Sequence, residues 1–279
     1  MSARGARAST NWSAHWSSET TAGPPDAGPA RAIAAPAAAS HPGSAKPRIA
    51  PRADIKGLSY RARAPDSYLR DDAKGLPLRR ADLESVLAAR PQVVVREWGG
   101  DAAMLRRLQD RGIRVVGIGD ATDFQGVRAN IRRVAAALGE PARGEALIVR
   151  MEAELDAARG AWRGRSGFYL VPGGFTAGPD TLIGAMMQTA GMRDASLSPG
   201  FQPAPLEQLV LHPPDAVVLG FFDGASTRTQ HWSPADHPAL RAAMNGRIVA
   251  SLPGSILGCP AWFAADGARD LAAAARARP

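Results

Sequence analysis

Side chains that could bind a metal ion are concentrated in one stretch of the chain. His231, Asp236 and His237 lie close together, and Asp223 precedes them. A zinc or manganese site needs three or four such ligands converging on one ion. Clustered loop histidines are more commonly surface residues, and residues 52–140 contain no histidine. We therefore expect no metal site, and a metal-ion-binding protein is kept as an alternative.

Residues that could support an enzyme are sparse. The sequence Gly-Ile-Gly-Asp beginning at Gly117 is similar to a dinucleotide loop, but Thr122 stands where the third glycine is needed. Cys259, the only cysteine, is next to Pro260 and has no evident base partner. No Ser, His and Asp ordering typical of a hydrolase is evident. We expect no catalytic residue, and an α/β enzyme with an unidentified substrate remains an alternative from another class.

Two glutamates begin nearly the same sequence twice. ESVLAARPQVVV starts at Glu84 and EQLVLHPPDAVV starts at Glu207, and each copy has a proline seven positions on, before a run of valines. Acidic residues in the first turn of a helix stabilise its dipole, and the spacing alone favours that role. The alternative is that two equivalent parts of the fold each present one acid to a pseudo-symmetric partner.

Composition indicates a water-soluble globular protein. The chain has 279 residues, of which 45% are hydrophobic and 22% charged. No run of about 18 apolar residues occurs, so we expect no transmembrane helix. The net charge of +8 is spread along helix-like segments, without a motif typical of nucleic-acid binding.

Short apolar strands alternate with amphipathic helices, which is typical of parallel βα units. The predicted strands cover residues 54–59, 93–95, 114–118, 168–171, 216–219 and 248–252. The predicted helices cover residues 81–89, 101–110, 124–138, 181–190 and 207–211, with an Ala-rich helix at the C-terminal end. A longer helix over 141–162 separates two α/β halves. We expect an N-terminal lobe at 52–140, an interlobe helix at 141–165 and a C-terminal lobe at 166–279.

Residues 1–51 are rich in Ala, Pro, Ser, Gly and Arg and have no lasting apolar period. Such a segment buries too little surface to offset its ordering entropy, so we expect a disordered or loosely packed tail. Its best apolar stretch, ARAIAAPAAAS, is interrupted by proline and does not fit a signal peptide. One hypothesis is a misassigned start or reading frame, which sequencing the locus would test.

From about Ala53 onward the chain resembles the class III periplasmic substrate-binding proteins, which deliver cobalamin, ferric siderophores and haem to ABC importers. The resemblance is carried, in the family's order, by LESVLAARPQVVVREWGG, LQDRGIRVVGIGDATDFQGVRANIRRVAAALG, GGFTAGPDTLIGAMMQTAGMRD and PLEQLVLHPPDAVVLG. It implies an α/β fold with two Rossmann-like lobes joined by one long rigid helix and a ligand cleft between them. The family's first strand and helix have no match in residues 1–51. It also implies that Glu84 and Glu207 dock onto arginines of the permease.

The resemblance implies an aromatic cleft suited to large, flat ligands. The positions that match the family's cleft aromatics are Tyr60, Trp98, Phe175, Phe201 and Phe222. Phe222 and its neighbour Phe221 also fit a core role. Nearby arginines that could pair with anionic ligand groups are Arg61, Arg63 and Arg96.

These features predict the substrate-binding component of an ABC transporter, not an enzyme. The expected ligand is cobalamin, haem or a ferric siderophore, with no further cofactor. The expected partners are a permease dimer and its ATPase subunits, without nucleic acid, and we expect a monomer. The resemblance places the protein in the periplasm.

Overall fold

The computed structural model describes residues 48–97, 101–196, 198–223 and 238–278. All of these residues belong to one compact unit. Among them, no helix is both long enough and apolar enough to cross a membrane.

Nine α-helices are present in the described residues. They are α1 (Leu83–Ala88), α2 (Ala102–Gln109), α3 (Phe124–Ala137), α4 (Pro141–Ala158), α5 (Leu182–Thr189), α6 (Leu206–Leu211), α7 (Pro238–Met244), α8 (Gly254–Leu257) and α9 (Ala264–Arg276). Short 3-10 helices cover Arg52–Asp54 and Tyr60–Arg63. Aspartate or threonine side chains cap the first turns of α1, α2, α3 and α5, so local sequence defines where these helices begin.

Ten strands are present in the same residues. They are β1 (Leu58–Ser59), β2 (Leu78–Arg79), β3 (Val93–Arg96), β4 (Arg114–Gly117), β5 (Ser166–Leu170), β6 (Phe175–Ala177), β7 (Arg193–Asp194), β8 (Phe201–Pro203), β9 (Ala216–Gly220) and β10 (Ile248–Leu252).

The strands form parallel sheets on each side of α4, which confirms the α/β class. After α4, a parallel sheet has the order β10-β9-β5-β7. Before α4, β1 pairs in parallel with β2, and β3 with β4. The β6–β8 pair is antiparallel. Within the described residues no strand before α4 pairs with a strand after it. The lobe boundaries remain a prediction.

The long helix α4 packs against both α3 and α9. Its apolar residues recur at helical spacing and are buried together: Leu147, Ile148, Met151, Leu155 and Ala158. Ion pairs add to the contact with α3, with Arg128 Nε 2.6 Å from Glu152 Oε1 and Arg132 Nε 2.7 Å from Glu145 Oε1. The main apolar core therefore includes residues from both sides of α4.

Helix α4 is shorter than the sequence predicts. It ends at Ala158, because Gly160 and Gly164 have φ angles of 70° and 80° and turn the chain toward β5. The predicted tail also overlaps the fold at its end, since Ile49 packs against the main core and Arg48 lies 3.4 Å from Asp72.

The two parallel sheets before α4 are less buried than the sheet after it. All five residues of β9 are buried, whereas Val116 is the only buried residue of β3 and β4. A groove of about 1310 Å³ is lined by residues of β1, α1, β3 and α2, and Val95 beside it is 38% exposed. This part of the chain thus leaves sheet surface open.

Candidate functional site

The carboxyl ends of the parallel strands provide the candidate site. Ligands of open α/β folds bind at this edge of the sheet, where successive loops converge. β1 leads into Tyr60–Arg63, β3 into Glu97, β9 into Phe221 and β10 into Gly254. These loops come from both sides of α4.

Two contacts join the loops across this edge. The Cys259 thiol, which follows α8, lies 3.8 Å from Glu97 Oε2, which follows β3. A Cβ atom placed on Gly254 would lie 3.7 Å from Asp66 Cβ and 3.1 Å from Phe221 Cδ1. Gly254 therefore lies beside Asp66, which precedes α4, and beside Phe221, which follows it. We call this region the cleft.

The charges in the cleft are mostly acidic. Burial raises the pKa of the Glu97 carboxyl, and the nearby Asp120 raises it further. Desolvation, and then the charge of Glu97, raise the pKa of the Cys259 thiol to about 11, although part of the residue is exposed. Arg61 Nη2 lies 2.9 Å from Asp66 Oδ2. The Arg61 guanidinium is therefore paired with the Asp66 carboxylate.

A second arginine proposed for anionic ligands has a structural role. Arg63 Nη2 donates to the backbone carbonyls of Leu76 at 3.0 Å and of Ala73 at 3.4 Å. These bonds hold the loop that precedes β2. Sequence alone could not reveal this, because the acceptors are main-chain atoms.

The predicted aromatic residues occupy different environments. Tyr60 is 61% exposed at the start of its 3-10 helix, and Phe201 is 56% exposed on β8. Phe175 is half-buried on β6, where Phe175 faces Pro203 and Ala177 faces Phe201. Because side chains alternate along strands, Phe175 and Phe201 share one face of this pair. Their ligand role remains a prediction.

The last two of the predicted aromatic positions are Phe222 and Trp98. Phe222 packs against the smaller apolar cluster that includes Phe168, Leu219 and Leu240, whereas Phe221 lies beside Gly254 at the cleft. The family resemblance assigns the ligand role to Phe222, whereas Phe221 is the residue that lies at the cleft. Trp98 lies outside the described residues.

The two repeated glutamates lie at equivalent places in the chain. Glu84 is the second residue of α1 and Glu207 the second residue of α6, and both are exposed. The α1 cap is Asp82, whose side chain accepts a 2.7 Å hydrogen bond from the Ser85 backbone. Neither glutamate has an ion-pair partner among the described residues. Their docking role remains a prediction.

No group of three metal-ligating side chains occurs within the residues that the structure describes. The stretch with His231, Asp236 and His237 lies outside them. Asp223 is described, and its Oδ2 accepts a 3.1 Å bond from the Gly254 backbone at the cleft.

Comparison with known proteins gives a consistent group of matches. The sequence model of a family described as "Periplasmic binding protein" matches residues 43–249. The periplasmic heme-binding protein RhuT from Roseiflexus sp. RS-1 is 26% identical, with a TM-score of 0.60, over 78% of this chain and 88% of that one. No curated protein sequence matches the chain.

Two further solved structures show the same fold at lower identity. The periplasmic heme-binding protein HutB of Vibrio cholerae is 19% identical, with a TM-score of 0.60, over 72% of this chain and 85% of that one. A protein of the ABC-type Fe3+-hydroxamate transport system from Saccharomonospora viridis is 20% identical, with a TM-score of 0.53, over 78% of this chain and 83% of that one.

Proposed function

This chain belongs to the periplasmic binding protein family, and we propose that it captures an iron complex and delivers it to the permease of an ABC importer. The family consists of binding proteins of transport systems rather than enzymes, and its members are periplasmic. The proposed ligand is haem or a ferric siderophore. The proposed partners are a permease dimer and its ATPase subunits.

The observation that carries the proposal is the meeting of strand-end loops from both sides of α4. Glu97 and Cys259 are 162 positions apart in sequence and 3.8 Å apart in space. A cleft bounded by such loops can enclose a ligand that is too large for a pocket within one sheet. The similarity to a heme-binding protein over 88% of that protein supports an iron complex as the ligand.

Exposed aromatic side chains also support a large, flat ligand. Tyr60 and Phe201 leave 61% and 56% of their surfaces accessible, so both rings are available to contact a ligand. Aromatic rings provide contact area with few rotatable bonds to freeze. Tyr60 adjoins the Arg61–Asp66 pair, which lies close to Glu97 and Cys259 in the cleft.

Titration of the purified protein tests the proposal. Haemin, a ferric hydroxamate and cobalamin are each added while tryptophan fluorescence and ligand absorbance are recorded. We expect saturable one-to-one quenching with an iron complex and no chemical change in the ligand. Saturation by cobalamin alone would show that cobalamin, and not an iron complex, is the ligand. Saturation by free zinc or manganese alone would refute the proposal.

Replacing Trp98, which directly follows Glu97, should weaken ligand binding. The Trp98→Ala variant should lose about 1–3 kcal/mol of binding free energy, as is common for an aromatic residue that anchors a ligand. The matched control is Trp162→Phe, because Trp162 is buried away from the cleft and donates to Leu271 O. Unchanged affinity of Trp98→Ala for every iron complex that binds would remove Trp98 from the site.

A further inference from the structure

Five arginines line a concave pocket of about 510 Å³ in the second half of the chain. They are Arg159, Arg163, Arg165, Arg276 and Arg278, and no acidic residue among those that the structure describes lines the pocket with them. Arg165 immediately precedes β5, and Arg278 donates to the carbonyls of Asp215 and Gly246, which precede β9 and β10. The arginine pocket therefore lies at the amino ends of these strands, whereas the cleft lies at their carboxyl ends.

The backbone that presents these arginines is fixed in place. The turn after α4 donates from Gly160 N to Thr189 O at 3.0 Å, from Trp162 N to Ala190 O at 2.8 Å and from Gly164 N to Gly191 O at 2.7 Å. The Trp162 ring is buried beneath the turn, and its indole N–H donates to Leu271 O of α9 at 2.8 Å. The pocket walls are thus held by both α5 and α9.

Four of the five guanidinium groups form no ion pair within the described part of the chain. Arg159 Nη2 lies 2.7 Å from Asp156 Oδ1, and Arg278 is engaged with backbone carbonyls. Arg163, Arg165 and Arg276 have no carboxylate within ion-pair distance among the described residues.

The local fold does not account for all of these charges. Asp215 approaches the cluster, but its Oδ2 accepts bonds from the backbone N and the Oγ of Ser166, both at 2.7 Å. These bonds, and then the charges of Arg165 and Arg193, lower the pKa of Asp215. Helix dipoles explain a cation at the end of a helix, as for Arg276 in the last turn of α9. They do not explain Arg163 and Arg165, which follow the turn.

We propose that the arginine pocket binds a soluble anion with at least two linked phosphate groups, of the diphosphate class. Guanidinium groups bind phosphate oxygens through paired N–H donors, and several can share one phosphate. One phosphate group carries at most about two negative charges, fewer than the four guanidiniums without an ion pair, whereas two linked groups come closer to balancing them. The volume of about 510 Å³ suits a compact small molecule. A concave site of this size fits such an anion better than a flat membrane surface.

Calorimetric titration with sodium diphosphate at constant ionic strength tests this binding. The full chain is compared with a variant carrying Arg163→Gln, Arg165→Gln and Arg276→Gln, all of which replace exposed residues. The matched control carries Arg106→Gln, Arg107→Gln and Arg241→Gln, which remove three exposed arginines outside the pocket.

We expect one-to-one binding by the native chain and the control, and binding about tenfold or more weaker by the pocket variant. Equal affinity in all three proteins, or no saturable binding by the native chain, would overturn the proposal. Binding to phosphatidylglycerol vesicles without binding of diphosphate would also overturn it, in favour of a membrane surface. The pocket is separate from the cleft, so iron-complex affinity should be equal in the three proteins, and failure of the transport role would leave this test unaffected.

Discussion

At the scale of single residues, the cleft contains polar groups that pair with one another. Arg61 pairs with Asp66, and Glu97 contacts Cys259. Tyr60, next to Arg61 in sequence, is 61% exposed. This combination leaves apolar surface available to a ligand while the polar groups remain hydrogen-bonded.

The unique thiol in the cleft should show an unusual pH dependence. Only the thiolate reacts with alkylating agents, and the pKa of Cys259 is raised to about 11. The alkylation rate should therefore rise about tenfold per pH unit between about pH 8 and pH 10, where an ordinary thiol with a pKa of about 8.5 would level off. Glu97→Gln should increase the rate at pH 8, because it removes a negative charge that opposes thiolate formation. Mass spectrometry of timed reactions measures the rate, with Cys259→Ser as the unreactive control, and a rate that levels off above about pH 9.5 would show an unperturbed thiol.

The two repeated glutamates should matter for transport and not for folding. Glu84→Ala combined with Glu207→Ala should change the free energy of unfolding by less than about 0.5 kcal/mol, because exposed carboxylates contribute little. At a permease interface, loss of a desolvated charge partner should cost about 2–5 kcal/mol, so ATP-dependent uptake should fail. Ligand affinity should be unchanged.

A double variant elsewhere provides the control for that experiment. Asp54→Ala with Asp110→Ala removes two exposed carboxylates that are in neither repeated segment. Uptake by this control should match the native protein. Normal transport by the glutamate variant together with loss of ligand affinity would instead place Glu84 and Glu207 in the cleft or the core.

At the scale of elements, the difference between the two sets of parallel strands is the main feature. Strands β5 and β9 of the four-stranded sheet are almost wholly buried, whereas β3 and β4 pair only with each other among the described residues, beside a groove of about 1310 Å³. Tyr68 connects the first part of the chain to α9, with its ring stacked on Phe263 at 4.2 Å and its hydroxyl bonded to Asp266. This contact and the packing of α3 on α4 hold the less covered strands to the main core.

Hydrogen exchange should therefore be faster in the strands before α4. Strands with few buried contacts open at a lower free-energy cost than those of a well-packed sheet. The amides of β3 and β4 should exchange well before those of β5 and β9 when the native protein is followed by mass spectrometry in heavy water. A bound iron complex should slow the exchange of Glu97 and its neighbours. Equal protection of β3 and β9 in the free protein would contradict the expected difference in stability.

Helices and strands with a clear apolar periodicity were predictable from sequence. Short strands that depend on contacts distant in sequence were not. The strand Ile248–Leu252 and the helix at Leu182–Thr189 follow from apolar spacing and nearby capping residues. The pair Phe175–Ala177 and Phe201–Pro203 has three residues per strand, too few for an alternating pattern, and the proline indicates a loop. Such a pair is stabilised by tertiary contacts that a local pattern cannot show.

At the scale of the whole molecule, sequence could place the candidate site at strand ends but could not define its contacts. The loops that carry Glu97 and Phe221 follow apolar strands, so their position was predictable. The contact of Glu97 with Cys259 depends on how loops from both sides of α4 approach each other. Likewise, the arginines at the ends of α4 and α9 are far apart in sequence and line one pocket only because those helices pack together.

Protection of the single cysteine by ligand tests the central claim, that an iron complex occupies the cleft. Cys259 contacts Glu97 there and is the only cysteine in the chain, so its alkylation reports on that region alone. The rate is measured at about pH 9 with and without a saturating iron complex, and again in denaturant, where the ligand should have no effect. We expect an iron complex that binds one-to-one to slow the alkylation of Cys259 about tenfold or more, as for a thiol covered by a ligand. Stoichiometric binding of that complex with no change in the alkylation rate would place the ligand elsewhere and contradict the claim.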